Sequence, residues 1–186
     1  MGKNSTRYIA FLRGMNVGGH RVRMEDLRAL FAALSFTNVD TFIASGNVIF
    51  TAAGTPTADA LEKQIEQRLR DVLGYAVATF LRTPAELVGI ASSVPFPASD
   101  VAVAGHNTVH VGFLRRPPDA ALATHLTDLN TTYDTFGVGA REMYWLCRGK
   151  TTNSLVKWPA VEKALRLDVT MRNLTTVRKL TEKYPA

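Results

Sequence analysis

Residues 39–51 read VDTFIASGNVIFT, and the fold turns on this stretch. Val39 to Ile43 and Asn47 to Thr51 are runs rich in β-branched and aromatic residues. Ser45-Gly46 between them is turn chemistry, because both residues are common turn formers and glycine accepts a positive φ. The stretch reads as a hairpin. Helical patterns flank it on both sides. Upstream, Glu25 to Phe36 carries Leu27, Leu30, Phe31 and Leu34 at helical spacing. Downstream, Thr57 to Leu73 places Leu61, Ile65, Leu69 and Val72 on one face and stops at Gly74. Two more apolar strands, Tyr8 to Arg13 and Ala76 to Leu81, lie outside the helices. The first 82 residues therefore spell strand, helix, strand, strand, helix, strand. That is the split βαβ, or ferredoxin-like, arrangement, whose right-handed crossovers put both helices on one face of a four-stranded antiparallel sheet.

The same grammar returns after a helix-like bridge at Pro84 to Ser92 and a proline-rich loop at Pro95 to Pro97. Thr108 to Leu114 is a strand and Asp119 to Leu129 a helix. Phe136 to Arg141 and Met143 to Arg148 form a second hairpin, Ser154 to Leu165 a helix, Asp168 to Met171 a short strand and Asn173 to Lys183 a last helix. Leu12-Arg13 and Leu114-Arg115 fall at equivalent strand ends, 102 residues apart. The expected fold class is α+β, a duplicated ferredoxin-like chain of two βαββαβ units with antiparallel sheets. Residues 1–82 are expected to form the first unit, and 83–186 the bridge plus the second unit with its C-terminal helix. The sequence leaves open whether similar halves exchange equivalent edge strands.

Composition bounds the partners. Apolar residues make up 46% and charged residues 20% of the 186, the profile of a folded globular chain. No run approaches the ~20 apolar residues of a membrane helix, and MGKNSTR holds no signal-type apolar segment, so no membrane partner and a cytoplasmic location are expected. Charge is unevenly placed. Residues 1–23 hold five Lys/Arg and no acid, residues 148–186 hold nine Lys/Arg and three acids, and the middle is left at −5 within a total of +6. A basic protein with two basic ends suggests an anionic partner, although any one cluster also serves as a solvated face. The single cysteine, Cys147, sits in the apolar run MYWLC and reads as a packed thiol.

The loop RGMNVGGHRVR, Arg13 to Arg23, follows the first strand directly. Glycines at 14, 18 and 19 let backbone approach a ligand, consecutive amides converge on an anion as a nest, and Arg13, Arg21 and Arg23 supply charge. Its spacing fits neither the dinucleotide fingerprint nor the phosphate loop. Glu25 and Asp26 in the first helical turn already complement the helix dipole and repel a second anion. The competing reading is a strand-to-helix connection that needs glycine for shape and arginine for solubility.

RGMNVGG, the helix MEDLRALFAAL and the hairpin SGNVIF together resemble the N-terminal signature of the family catalogued as domain of unknown function 1697. TMRNLTTVRKL, residues 170–180, resembles its C-terminal signature, so the resemblance spans nearly the whole chain. The chain departs from the family pattern at Leu174 and Thr175, where the family carries tryptophan and asparagine. The resemblance implies a duplicated ferredoxin-like fold and lends no activity.

Other chemistry is thin. Gly149-Lys150-Thr151 imitates the end of a phosphate loop, but the first glycine of that motif falls on Tyr144. What survives there is Lys150 beside a helix start, with N-cap chemistry at Thr152 or Asn153. Asn47 belongs to the hairpin turn. Arg172 and Asn173 open the last helix, Asn173 as its cap, and Arg178-Lys179 read as solvated. The histidines at 20, 106, 110 and 125 are scattered, and His106 and His110 on an extended segment stand about 13 Å apart, too far for one metal. No metal site and no cofactor are expected.

The candidate ligand set is Arg13, Gly14, Asn16, Gly18, Gly19, Arg21 and Arg23 with Asn47, Lys150, Arg172 and Asn173, and the expectation is that Arg13 lines a concave surface to which Lys150 or Arg172 contributes. The favoured function is binding of a small phosphorylated or carboxylated ligand, by an enzyme or sensor whose reaction the sequence does not name. The alternative is a nucleic-acid module, weakened because SGNVIF offers one aromatic where RNA-recognition domains carry several. The third class is a dimerising interaction protein, an oligomer.

Overall fold

The computed structural model describes residues 5–15, 21–101, 107–165 and 168–186. In chain order these hold β1 (Ser5–Arg13), α1 (Met24–Ala32), β2 (Thr37–Phe42), β3 (Asn47–Ala53), α2 (Ala58–Leu73), β4 (Ala78–Arg82) and α3 (Pro84–Ser92). There follow α4 (Ala98–Val101), β5 (Asn107–Leu114), α5 (Ala120–Asp128), β6 (Asp134–Val138), β7 (Glu142–Arg148), a 3₁₀ turn (Thr151–Asn153), α6 (Trp158–Leu165), β8 (Val169–Asn173) and α7 (Leu174–Lys183). Two compact units result, Met1–Leu87 with Tyr184–Ala186, and Val88–Lys183. Each holds one four-stranded antiparallel sheet, ordered β2-β3-β1-β4 and β6-β7-β5-β8. Each sheet draws all four strands from its own unit. This mixed α+β arrangement is consistent with a duplicated ferredoxin-like fold.

The two sheets share a register. Ile9 faces Arg82 in the first and Val111 faces Arg172 in the second; Tyr8 faces Phe50, and His110 faces Trp145. Leu12 N donates to Gly46 O at 2.8 Å, and Leu114 N to Arg141 O at 2.9 Å.

In the first unit, alternation along the strands sends Tyr8, Ala10 and Leu12 of β1 and Val48, Phe50 and Ala52 of β3 to the helix side, against Leu27, Phe31, Leu61, Ile65 and Leu69. Phe50 is the centre of an aromatic cluster, stacked on Phe36 at 4.3 Å and Tyr8 at 5.8 Å, with Phe31 edge-on at 5.4 Å. The opposite face is also buried: Ile9, Phe11, Asn47, Ile49, Phe80 and Arg82. In the second unit Val111, Phe113, Tyr144, Leu146 and Arg172 are buried in the same way.

The structure corrects several expectations. Val72 is half exposed, and Glu62 is buried on α2 instead. The cause is β4, an edge strand whose outward amides need acceptors: Leu81 N donates to Glu62 Oε1 and Thr79 N to Glu66 Oε1, both at 2.8 Å. On the other edge, β2 carries a register break between Thr37 and Asp40, with Asn38 in the left-handed region at φ 51°. α1 ends four residues before Phe36, because Ser35 adopts φ 63° and turns Phe36 back into the core. β6 runs Asp134–Val138 rather than Phe136 to Arg141, because Gly139 N bonds Glu142 O at 2.7 Å and closes the hairpin turn there. α6 begins at Trp158 rather than Ser154: the Ser154 hydroxyl is spent on Asp134 and on Val156 N, and Pro159 is accommodated in the first turn. Arg172 and Asn173 end β8 rather than open α7, while Asn173 Oδ1 still accepts from Thr175 N at 2.8 Å.

Candidate functional site

β1 delivers Arg13 at its end, and Gly14 follows with φ 77°, a conformation that side chains other than glycine rarely accept. Met15 is buried and its carbonyl accepts the Tyr75 hydroxyl at 3.0 Å, which ties the loop's start to the core. The hairpin turn lies alongside: a Cβ on Gly46 would stand 3.2 Å from Leu12 Cβ and 3.4 Å from Met15 Cγ. Asn47 in that turn is fully buried, and its Nδ2 donates to Phe42 O at 3.0 Å and Ser45 Oγ at 2.8 Å. Asn47 therefore holds the turn, while the loop start and the hairpin are brought together. Asn16, Gly18, Gly19 and His20 lie outside the described residues.

At the far end of the loop, Arg21 is exposed and Arg23 is committed to the acids of α1. Its guanidinium pairs with Glu25 at 2.7 Å and makes two bonds to Asp26 at 2.9 and 3.0 Å. The hydrogen bond from Arg23, more than its charge, holds the Asp26 carboxyl below its usual range.

The remaining candidates sit in the second unit. Lys150 is exposed just before the 3₁₀ turn, and its carbonyl accepts the Tyr133 hydroxyl and Asn153 N, both at 2.9 Å. Arg172 is buried, donates to Thr170 Oγ1 and Met171 O at 2.9 Å, and has its pKa lowered to about 10 by loss of solvent. Asn173 is exposed and caps α7.

Around the Lys150 segment lies a polar cluster that sequence reading missed. The Asp134 carboxylate is fully buried; Trp145 Nε1 donates to one oxygen at 2.7 Å and Ser154 Oγ to the other at 2.9 Å. Cys147 faces Asp134 across β6 and β7, and burial followed by the Asp134 charge pushes its thiol up, so it stays protonated and poorly nucleophilic. The His110 ring stacks on Trp145 at 5.2 Å with Nε2 3.4 Å from Thr151 Oγ1. Asp134 is thus tied to Trp145 and Ser154, Cys147 lies opposite it, and His110 packs on Trp145. The signal that joins them is strand register, which single-residue motifs do not carry. Among the described residues no group of His, Cys, Asp and Glu has the arrangement of a metal site.

Burial lowers the His110 pKa, which sets a pH dependence. The unfolded chain takes up the proton near pH ~6.5, whereas the folded chain does so only at lower pH. The unfolded state therefore binds more protons in that window, and stability present above it is lost as the pH falls. Denaturant melts followed by tryptophan fluorescence, both tryptophans being in the second unit, should weaken from pH 7 to 5. His110→Phe keeps the stack and should flatten that slope; an unchanged slope would assign it to other groups.

In the first unit an open cavity of about 550 Å³ is lined by Ser5, Arg7, Asn38, Thr51 and Thr83 among others. Among the described residues no helix is long and apolar enough to cross a membrane.

Comparison with known proteins places the fold. The conserved bacterial protein SP0830 from Streptococcus pneumoniae superposes with a TM-score of 0.76 at 20% identity, over 98% of this chain and 100% of that one. A putative glycine cleavage system transcriptional repressor reaches a TM-score of 0.24 at 12% identity, over 91% of this chain and 97% of that one, too low to bear on the fold. No curated protein matches the chain significantly. A family profile matches residues 5–144, which include the loop, the first helix and the hairpin and stop short of the 170–180 block, and the chain belongs to the family described as "Protein of unknown function (DUF1697)".

Proposed function

We propose that this protein binds a small anionic ligand, phosphorylated or carboxylated, through the loop from Arg13 to Arg23. One observation carries the reading: Arg23 spans both acids of α1's first turn, while Arg21, two residues earlier, has no hydrogen bond or ion pair among the described residues. The carboxylates that oppose an anion at this helix start are thus offset by the residue that precedes the helix, and Arg21 is left to meet the anion. Gly18 and Gly19 carry no side chain to bar a ligand from the backbone. A cytoplasmic setting goes with this reading, since the one cysteine allows no internal disulfide. So does a division into a first domain of residues 1–82 and a second from 83 onward.

The RNA alternative asks for exposed aromatic side chains on the sheet face away from the helices. In the first unit that face presents Ile9, Phe11 and Ile49, all buried, which counts against it.

Native mass spectrometry of the purified protein reads a retained metabolite, RNA or an oligomer directly. Calorimetric titration with pyrophosphate and with citrate then separates the phosphate and carboxylate classes. Arg21→Ala should weaken the bound anion about 10- to 100-fold, the range for a charge-assisted hydrogen bond. Unchanged affinity in Arg21→Ala and Arg13→Ala would show the loop to be architectural.

A further inference from the structure

The second unit carries a pocket that the loop reading does not use. It encloses about 300 Å³, the small end of the range for ligand sites, and is lined by Ala91 of α3, Val94 and Phe96 of the following loop, Ala98 and Val101 of α4, and Arg178 of α7. Five apolar side chains thus share the pocket wall with one cation. The wall is anchored at several points. A Cβ on Gly137 of β6 would stand 2.7 Å from Pro95 Cγ, so the loop seats on the sheet only because that residue is glycine. Asn107 Nδ2 donates to Asp100 O at 2.7 Å and Arg148 Nη2 to Asp100 Oδ2 at 2.8 Å, which fixes α4 and offsets the acid on it. The Tyr144 hydroxyl donates to Ile90 O at 3.2 Å and holds the end of α3.

The polar groups at the pocket differ in how far they are committed. The Ser92 hydroxyl donates back into its own helix, to Val88 O at 2.7 Å. The Arg178 guanidinium makes no hydrogen bond or ion pair among the described residues, and Glu182 one turn along α7 does not pair with it. It presents a planar fork of donors suited to a carboxylate. A hydrophilic anion would gain little from the apolar wall, and an uncharged apolar molecule would leave the fork unused. The combination selects a molecule with both parts.

We propose that this pocket binds a small carboxylate borne on an apolar body, with the body against Ala91, Val94, Phe96, Ala98 and Val101 and the carboxylate on Arg178. The site is separate from the Arg13 to Arg23 loop and does not rest on it. The test is a ¹H-¹⁵N NMR titration of the full chain with octanoate, with 1-octanol as the uncharged control. Octanoate should give saturable shifts at residues 91–101 and at the Arg178 side chain, and should bind at least about tenfold more tightly than octanol. Arg178→Ala, at an exposed position that leaves the fold intact, should weaken octanoate about 10- to 100-fold. Ala98→Trp should fill the pocket and remove the shifts while the remaining spectrum stays folded, and Arg21→Ala should leave octanoate binding unchanged. Absent shifts, shifts outside these residues, equal binding of octanoate and octanol, or full binding by Arg178→Ala would each overturn the proposal.

Discussion

Phe50→Ala is expected to cost the first unit about 3 to 5 kcal/mol, the range for truncating a buried phenylalanine. The ring is fully buried on β3, between Phe36 at 4.3 Å and Tyr8 at 5.8 Å, with Phe31 edge-on. Removing it deletes contacts with three aromatic neighbours at once, and those neighbours come from β1, α1 and the turn after α1, which limits how far they can close the gap. The first unit holds no tryptophan, so the measurement is hydrogen exchange of its amides under native conditions: the slowest amides of β1 and β3 should lose the full amount of protection. A loss under about 1 kcal/mol would mean that the cluster collapses around the smaller residue, contrary to dense packing.

Asp134→Ala is expected to destabilise the second unit by about 3 kcal/mol. The carboxylate receives the Trp145 indole N–H at 2.7 Å and the Ser154 hydroxyl at 2.9 Å. Truncation leaves two buried donors unpaired, at about 1 to 3 kcal/mol each. Asp134→Asn keeps an oxygen acceptor for one of them and should cost less than half as much. Tryptophan fluorescence in denaturant reads both variants, because Trp145 is itself the donor. Equal costs for the alanine and asparagine variants would show that charge, rather than donor satisfaction, governs the site.

Much of the architecture was legible because it is written in local periodicity. Leu61, Ile65 and Leu69 recur at helical spacing, Thr57 caps α2 through a 3.3 Å bond to Ala60 N, and Gly74 ends it at φ 80°. Every strand and every helix longer than one turn in the described residues had been expected within a few positions. What was illegible depends on partners distant in sequence. Glu62 looks like a solvated helix residue until β4 is placed beside it, and Arg172 looks like a helix start until its register opposite Val111 is known. Asp134, Cys147 and Ser154 meet only through the β6–β7 pairing and the turn after it. For the site, Arg21 and Arg23 of the loop were indistinguishable in sequence; the ion pairs of Arg23 separate them. Arg178 read as a solvated cation because the wall it faces is built some eighty residues earlier in the chain.

The glutamates beneath β4 bear on how this protein behaves when crowded. Fibril growth proceeds by recruiting an incoming strand onto unspent amides, and at Thr79 and Leu81 the outward amides are already bonded to Glu66 and Glu62. The sheet's other border, β2, is broken between Thr37 and Asp40 and kinked at Asn38, so it offers no straight ladder to copy. A sheet with neither border available as a template gives a nascent or concentrated chain no seed there from which to polymerise.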